Sequence, residues 1–320
     1  MKKVLIIHPE GNINNNPNLS GIVRILCKSG YRVDICSRKA QTIDQDFHCE
    51  GARLFLIDKK VSATDGFVIL AGLSPDYKQR HHLIHETIGD YDLIVGVDRG
   101  IIEASEIAQV KRAPLGLISY EIYFVAEAGN DFKQPEIEAC RNIDFAVCQD
   151  ELRAGYLSVE NRIPLEKIIN IPLGGRFVRK GPKSSYLYDS LGIEKNKKIA
   201  LFAGSLGRWS MTDYLIETAK TWSNDWVLVL HNRYKLDEDT LTYYQERKGL
   251  SDNVHFSLEP VTDVSEVGRI LHSANIGVAL YQAQSNSIQE GNNLRYVGMA
   301  SGKVATYLQH GLPVVVNDIG

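Results

Sequence analysis

The sequence contains no long apolar run and no excess of one charge. Nowhere in its 320 residues are about 18 consecutive residues apolar, as a membrane-spanning helix would require. The formal net charge is −3 and the basic residues are spread along the chain, which disfavours binding to nucleic acid. The first residues include two lysines but too short an apolar run for a signal peptide. These absences predict a cytoplasmic protein, and they leave open a peripheral contact with the inner face of a membrane.

Recognised cofactor and metal motifs are also lacking. The five cysteines form no Cys-x-x-Cys pair, so neither a zinc site nor a disulfide framework is predicted. His81 and His85 would share one face of a helix, but no metal-binding pattern surrounds them, and a solvated helix face is the better prediction. The first predicted strand is not followed by Gly-x-Gly-x-x-Gly, which disfavours a dinucleotide-dependent dehydrogenase. We therefore predict no metal and no cofactor.

The sequence does contain a regular alternation of strand-like and helix-like segments. Its composition, 44% hydrophobic and 23% charged residues, is typical of a folded protein. Strands are predicted at residues 4–8, 32–36, 53–57, 92–97, 115–119, 145–148 and 168–171, and again at 198–203, 226–231, 254–256, 275–281 and 312–316. Because these strands are apolar on both faces and separated by helix-length segments, they predict an α/β fold with parallel sheets.

A segment rich in Gly, Pro, Ser and charge, residues 174–185, interrupts this alternation and predicts an interdomain connection. We predict an N-terminal domain over residues 1–175, a linker over 176–197 and a C-terminal domain over 198–320. Both domains are predicted to be Rossmann-like and doubly wound. Since ligands bind beyond the carboxyl ends of parallel strands, two such domains are expected to face each other across a cleft.

The first strand-to-helix connection of the second domain has the residues of a phosphate loop. It contains Gly204, Ser205, Gly207 and Arg208. Glycines allow the backbone to approach a ligand closely, and a guanidinium can bind phosphate with two hydrogen bonds. Trp209 follows as a surface for stacking on a ligand or for packing within the domain.

A second anion-binding segment is predicted near residue 301. Ser301 is a predicted helix N-cap, Gly302 and Lys303 follow it, and Gly311 is predicted to end the helix in the left-handed conformation. The free N–H groups of a helix N-terminus and the charge of a lysine suit a phosphate. Together with the earlier loop, they predict a diphosphate site. The alternative for this segment is an ordinary helix with an exposed lysine.

Residues at other strand ends of the second domain are predicted to bind the base or the ribose of a nucleotide. Glu259, Pro260 and Val261 follow one strand, and backbone groups beside a proline can hydrogen-bond a flat base. His231 and Tyr281 end two further strands. For the aromatic side chain, packing within the domain is the alternative.

Polar residues at the strand ends of the first domain are candidates for catalysis and acceptor binding. Asp98 and Glu121 directly follow buried strands, where a carboxylate suits a base or charge-stabilising role. The alternative for Asp98 is a cap for the helix that follows it. The amides of Asn12, Asn14 and Asn15 suit hydrogen bonds to the hydroxyls of a sugar acceptor, with a solvated loop as the alternative.

On these residues the chain resembles the GT-B glycosyltransferases, in particular the group-one superfamily of retaining, family 4-like enzymes. Segments 202–208 and 171–175 resemble that superfamily's phosphate loop and the end of its first domain. The superfamily's later motif is matched at Lys303, Tyr307, Leu308, Gly311, Pro313, Val314 and Val315. Where it usually has a ribose-binding glutamate, this chain has Thr306. The superfamily's second domain usually continues beyond the last strand present here, so an incomplete second domain is expected.

The resemblance implies a function. A glycosyltransferase of this kind moves a sugar from a nucleotide-diphosphate donor to a glycan or other hydroxyl acceptor, here in polysaccharide or glycoconjugate biosynthesis. Arg208 and Lys303 would stabilise the charge of the leaving diphosphate, so no metal is required. The alternatives are a GT-B nucleotide-sugar epimerase or hydrolase, and a non-catalytic module that binds a nucleotide sugar or a partner.

Overall fold

The structure, a computed structural model, describes residues 1–9, 13, 16–38, 47–57, 89–174, 181–232, 236–247, 251–259, 261, 264–285 and 287–320. The chain divides into two compact units, Met1–Pro172 and Leu173–Gly320, and each contains its own parallel sheet. In the described ranges no helix has both the length and the apolar character needed to cross a membrane.

The first unit is built on seven parallel strands. They are β1 (Lys3–His8), β2 (Arg32–Arg38), β3 (Ala52–Ile57), β4 (Leu93–Val97), β5 (Leu115–Ile118), β6 (Phe145–Cys148) and β7 (Ile168–Asn170). The helices described in this unit are α1 (Pro17–Lys28), α2 (Ile101–Lys111), α3 (Val125–Ala128), α4 (Asn130–Cys140) and α5 (Glu151–Asn161). The strand order is β3-β2-β1-β4-β5-β6-β7. It changes direction between β1 and β4, which is the kind of position where open α/β sheets bind ligands.

The second unit is built on five parallel strands. They are β8 (Lys198–Gly204), β9 (Trp226–Asn232), β10 (Val254–Ser257), β11 (Ile276–Ala279) and β12 (Val314–Val316), in the order β10-β9-β8-β11-β12. The described helices are α6 (Tyr186–Leu191), α7 (Thr212–Ala219), α8 (Glu238–Gln245), α9 (Val264–Ser273), α10 (Asn292–Arg295) and α11 (Gly302–Gln309). The switch in strand order lies between β8 and β11, so the ends of these two strands define the ligand edge of this unit.

Apolar residues on both faces of the second sheet form its core. On one face, Leu201 belongs to a buried cluster that includes Ile270 of α9 and Tyr307 of α11. On the other face, Phe202 belongs to a buried cluster that includes Leu215 of α7. Burying a Leu, Ile or Phe side chain stabilises a fold by about 1.5–3 kcal/mol. Neighbouring residues of one strand therefore attach helices to opposite faces of the sheet.

The predicted α/β fold with two parallel sheets is confirmed, and each predicted strand lies within a couple of residues of an observed one. The segment predicted as a linker contains helix α6, whose Leu187 is buried in the core of the second unit together with Ile193. Residues 176–180 of that segment lie outside the described residues.

Candidate functional site

The loop after β8 is held by hydroxyl groups of the turn that follows it. The Ser210 hydroxyl donates to the carbonyl oxygens of Ser205 at 3.0 Å and Gly207 at 2.9 Å. The Gly207 N–H donates to the Thr212 hydroxyl at 3.2 Å. These hydrogen bonds fix the predicted phosphate loop at the carboxyl end of the central strand.

Helix α11 begins at the same edge of the sheet. Ser301 is its N-cap, as predicted, and the Ser301 Oγ accepts a hydrogen bond from the Val304 N–H at 3.2 Å. The Ser301 Oγ also lies 2.6 Å from the Tyr281 hydroxyl. Gly311 follows the helix with φ = +70°, which confirms the predicted left-handed position. The first N–H groups of a helix have no partner within it, so the amide of exposed Gly302 is open to a ligand.

Lys303, in the first turn of α11, has its ammonium group inside an aromatic cage. The Lys303 Nζ lies 4.6 Å from the ring centroid of Phe202, 4.4 Å from that of Trp209 and 4.6 Å from that of Tyr281. The Nζ is buried and has no hydrogen-bond partner among the described residues. The lysine stem passes close to Gly204, where an added Cβ would lie 3.0 Å from the Lys303 Cδ. The site therefore contains a cation beside the phosphate loop.

Two effects act on the protonation of Lys303. Burial away from water disfavours the ammonium and lowers the pKa of Lys303 to about 7. The faces of the three aromatic rings favour the ammonium, because their electrostatic potential is negative. An anion that reached this group would favour the charged form strongly and would raise its pKa.

Tyr307 attaches α11 to the sheet and so fixes the position of Lys303. Its side chain is fully buried, and its hydroxyl donates to the Leu201 carbonyl oxygen at 3.1 Å. The same hydroxyl accepts a hydrogen bond from the Ala203 N–H at 2.7 Å. The Tyr307 ring lies against Gly277 of β11. The sequence motif contains Tyr307, but its anchoring role becomes visible only in the structure.

The residues predicted to bind the base occupy different environments. His231 is buried at the end of β9, its Nδ1 lies 3.0 Å from the Ser257 hydroxyl, and burial lowers the pKa of His231 to about 4. Glu259 is exposed, and Val261 is half-buried against the core. Pro260 lies outside the described residues. His231 is therefore a neutral imidazole at physiological pH, held beside the end of β10.

The other residues predicted to bind the nucleotide sugar differ in exposure and in whether their polar groups are already hydrogen-bonded. The Thr306 hydroxyl donates to the Gly302 carbonyl oxygen at 2.7 Å, within its own helix. Arg208 is exposed. Tyr281 is buried, and burial raises the pKa of its hydroxyl, which is bonded to Ser301, to about 12. The Tyr281 ring stacks on Trp209 with the centroids 6.0 Å apart, which completes one side of the cage.

In the first unit, Asp98 contacts the loop that carries Glu121. Asp98 is buried and has a left-handed backbone with φ = +50°. Its Oδ1 accepts hydrogen bonds from the N–H groups of Tyr120 at 2.6 Å and Glu121 at 2.8 Å. The Glu121 side chain is exposed. The two predicted catalytic residues are thus adjacent, and one holds the backbone of the other.

Two further buried side chains hold the same loop. Gln149 donates to the Ser119 carbonyl oxygen at 2.7 Å, and Arg153 donates to the Tyr120 carbonyl oxygen at 2.6 Å. Arg153 also donates to the Gln149 Oε1 at 3.0 Å. Sequence inspection did not identify these residues, because each lies next to or within a helix that has no motif.

The predicted acceptor-binding residues Asn12, Asn14 and Asn15 lie outside the described residues. Within the described ranges, no group of three or more His, Cys, Asp or Glu side chains is arranged to hold a metal ion.

No protein-family model matches the sequence, and no curated protein matches it either. Solved structures with the same architecture do exist. HepE from Anabaena, in complex with UDP-glucose, has a TM-score of 0.67 and 15% identity over 99% of this chain and 80% of its own. A glycosyltransferase from Rickettsia africae has a TM-score of 0.63 and 12% identity over 100% of this chain and 80% of its own.

A third similar structure is the catalytic domain of starch synthase IV from Arabidopsis thaliana, bound to ADP and acarbose. Its TM-score is 0.61, with 11% identity over 99% of this chain and 82% of the other. The chain has the GT-B fold. The likeness spans both units, and the GT-B fold accounts for two parallel α/β sheets in one chain.

Proposed function

We propose that this GT-B chain is a retaining, family 4-like glycosyltransferase that uses a nucleotide-diphosphate sugar. Its acceptor would be a glycan or another hydroxyl compound in polysaccharide or glycoconjugate biosynthesis. The observation that carries the proposal is the buried ammonium of Lys303, which lies at a helix N-terminus beside the phosphate loop. Burying an ammonium without a hydrogen-bond acceptor or an anion beside it is unfavourable, so the arrangement suits a site where a ligand supplies the anion.

Similar proteins support the donor class. HepE is described in complex with UDP-glucose, and the starch synthase domain is bound to ADP. In the proposed donor complex, the amide of Gly302 and the ammonium of Lys303 contact the diphosphate. Ser205 and exposed Arg208 lie on the phosphate loop and add hydrogen bonds. These groups stabilise the charge that develops when the sugar leaves, so a metal ion is not needed.

In the same proposal, the first unit binds the acceptor. Glu121 has an exposed side chain and a backbone N–H held by Asp98, and its carboxylate supplies base or charge-stabilising chemistry. Asn12, Asn14 and Asn15 bind acceptor hydroxyls. A cytoplasmic place of action, with peripheral contact at the inner face of a membrane, is also part of the proposal.

The proposal is tested by incubating the chain with UDP-, GDP-, ADP- and dTDP-sugars in EDTA, with and without a mixture of sugar acceptors. We expect one donor to release its nucleoside diphosphate faster when an acceptor is present. Lys303→Met should abolish this release, and Lys198→Met should not, because Lys198 is an exposed lysine at the opposite end of β8. Absence of turnover with every donor and acceptor would contradict the proposal.

A second candidate is a non-catalytic module that binds a nucleotide sugar. Two observations favour it: backbone N–H groups bind the carboxylate of Asp98, and the Thr306 hydroxyl is bonded inside its own helix. Tight binding of a nucleotide without turnover of any donor would select this candidate. Release of free sugar or an epimer without an acceptor would instead indicate an epimerase or hydrolase.

A further inference from the structure

The three rings around Lys303 come from three separate parts of the second unit. Phe202 belongs to β8, Trp209 to the turn after the phosphate loop, and Tyr281 to the segment after β11. All three centroids lie within 4.6 Å of the same Nζ. By comparison, the exposed Lys198 lies over the single ring of Trp226 at 5.6 Å. The enclosure of Lys303 thus differs from an ordinary surface contact between a lysine and a ring.

This enclosure prevents direct contact between the ammonium and an anion. A charge-assisted hydrogen bond requires a phosphate oxygen about 2.7–2.9 Å from the nitrogen. The Lys303 Nζ is buried, and the three rings lie around it. A diphosphate at the phosphate loop can therefore bind the ammonium only after the nitrogen has left the rings. The lysine stem is flexible and already lies beside Gly204 of the phosphate loop, so rotation of the stem can carry the nitrogen from the rings to the loop.

We propose that Phe202, Trp209 and Tyr281 are positioning residues that hold the Lys303 ammonium in the nucleotide-free protein, and that an incoming diphosphate withdraws it from them. The proposal rests on the proposed function, because the diphosphate is the one carried by the nucleotide donor. It adds that the Lys303 ammonium lies among the three rings in the nucleotide-free protein and contacts the diphosphate in the nucleotide-bound protein.

Because the rings and the diphosphate compete for the same ammonium, removing a ring should change the affinity for the diphosphate in the opposite direction from removing a residue that binds the ligand. Each ring stabilises the withdrawn state through a cation–π contact. Removing a ring should therefore make the ammonium more available and tighten binding of the diphosphate, by about two- to tenfold given the strength of such contacts. A ring that contacted the nucleotide itself would weaken binding when removed.

The first experiment measures pyrophosphate and UDP affinity by calorimetry at pH 6, where Lys303 carries its proton, for Trp209→Leu and Trp209→Phe in the wild-type and Lys303→Met backgrounds. Trp209 is half-buried, and Phe keeps a ring at this position. We expect Trp209→Leu to bind both ligands more tightly than Trp209→Phe when Lys303 is present, and equally when it is absent. Weaker binding by Trp209→Leu, or the same difference in both backgrounds, would overturn the proposal.

A second measurement needs no nucleotide, so it separates failure of this proposal from failure of the proposed function. The intact protein is treated briefly with an amine-acetylating reagent, and labelling of each lysine is read by mass spectrometry. The labelling is done at pH 10.5, where an ordinary lysine is already about half in the reactive free-amine form, so that the rates report access of the reagent and not protonation. There we expect Lys303 to react at least about tenfold more slowly than Lys198, and Trp209→Leu to remove most of that protection. Labelling of Lys303 as fast as Lys198 in the wild-type protein would show that the three rings do not enclose the amine, and this result would not depend on which nucleotide the protein binds.

Folding of each variant is checked by its melting temperature. Should Trp209→Leu melt far below the wild type, Tyr281→Phe and Tyr281→Leu replace it. The first keeps the ring and loses the hydrogen bond to Ser301, and the second loses both. Tighter pyrophosphate binding by Tyr281→Leu than by Tyr281→Phe supports the proposal, and the reverse order overturns it.

Discussion

Tyr307 packs against Gly277 so closely that a side chain at position 277 would overlap its ring. A Cβ at that position would lie 2.6 Å from two atoms of the Tyr307 ring. Gly277 belongs to β11 and Tyr307 to α11. The missing side chain on the strand therefore lets the helix approach the sheet, and this approach brings Lys303 to the phosphate loop.

Gly277→Ala is expected to destabilise the second unit. Overpacking in a well-packed core typically costs about 1–3 kcal/mol, and here the added methyl group meets a fully buried ring. The measurement is the free energy of unfolding in urea. Gly268→Ala is the matched control, because Gly268 lies in helix α9 and an added Cβ would make only an ordinary contact with His310 at 4.0 Å. That control should be neutral or more stable by about 0.5–1 kcal/mol.

Tyr307→Phe removes the hydroxyl that joins α11 to β8. The N–H of Ala203 and the carbonyl oxygen of Leu201 would lose this partner. Leaving a buried polar group unsatisfied costs about 1–3 kcal/mol, so unfolding should require that much less free energy. Tyr214→Phe serves as the control, since Tyr214 is 59% exposed. Equal stability of the two variants would show that the hydroxyl does not anchor the helix.

Nucleoside diphosphate binding should weaken as the pH rises above about 7. Burial lowers the pKa of Lys303 to about 7, so the nucleotide-free protein loses this proton at a pH where an ordinary lysine keeps it. A bound diphosphate favours the ammonium, so binding takes up a proton above that pH. The apparent Kd should then rise about tenfold for each pH unit between 7.5 and 9.5.

Calorimetry in buffers of different ionisation enthalpy checks this pH dependence directly. At pH 8, close to one proton should be taken up for each nucleotide bound. Lys303→Arg should take up none, because a guanidinium stays charged at this pH. Proton release, or uptake that persists in Lys303→Arg, would contradict the assignment of this titration to Lys303.

Asp98 should matter more for its hydrogen bonds than for its charge. Asn at position 98 keeps an oxygen that accepts from Tyr120 and Glu121 and tolerates the left-handed backbone, whereas Ala does neither. Asp98→Ala should therefore destabilise the first unit by about 2–4 kcal/mol and Asp98→Asn by less than about 1 kcal/mol. Unfolding curves give these values. A stable Asp98→Asn protein that has lost all transferase activity would instead identify the carboxylate as part of the chemistry.

Periodicity was sufficient to predict the fold, but not the contacts of the site. Apolar runs such as 198–203 and 312–316, separated by helix-length segments, predict strands that are covered on both faces and therefore parallel. The cage around Lys303 could not be predicted in the same way, because Phe202, Trp209 and Tyr281 meet only after the sheet has formed. A sequence shows which cation lies near a helix N-terminus, but it does not show that three rings enclose it.

In the first unit, too, the contacts of a predicted site residue could not be read from the local sequence. A carboxylate after a buried strand predicted chemistry for Asp98, while the structure shows its Oδ1 accepting two backbone N–H groups. Those donors are more than twenty residues away in sequence, so no local pattern connects them. Exposed Glu121, held by this contact, keeps its predicted role as a candidate.

The most direct test of the account is calorimetric titration of the wild-type protein, Lys303→Met and Lys198→Met with UDP, GDP, ADP and dTDP at pH 7 in EDTA. We predict that one of these nucleotides binds the wild-type protein and Lys198→Met equally, and binds Lys303→Met at least about tenfold more weakly, as expected for loss of a charge-assisted hydrogen bond. Equal binding of that nucleotide by all three proteins, or binding of none by the wild type, would contradict the claim that Lys303 receives a donor diphosphate.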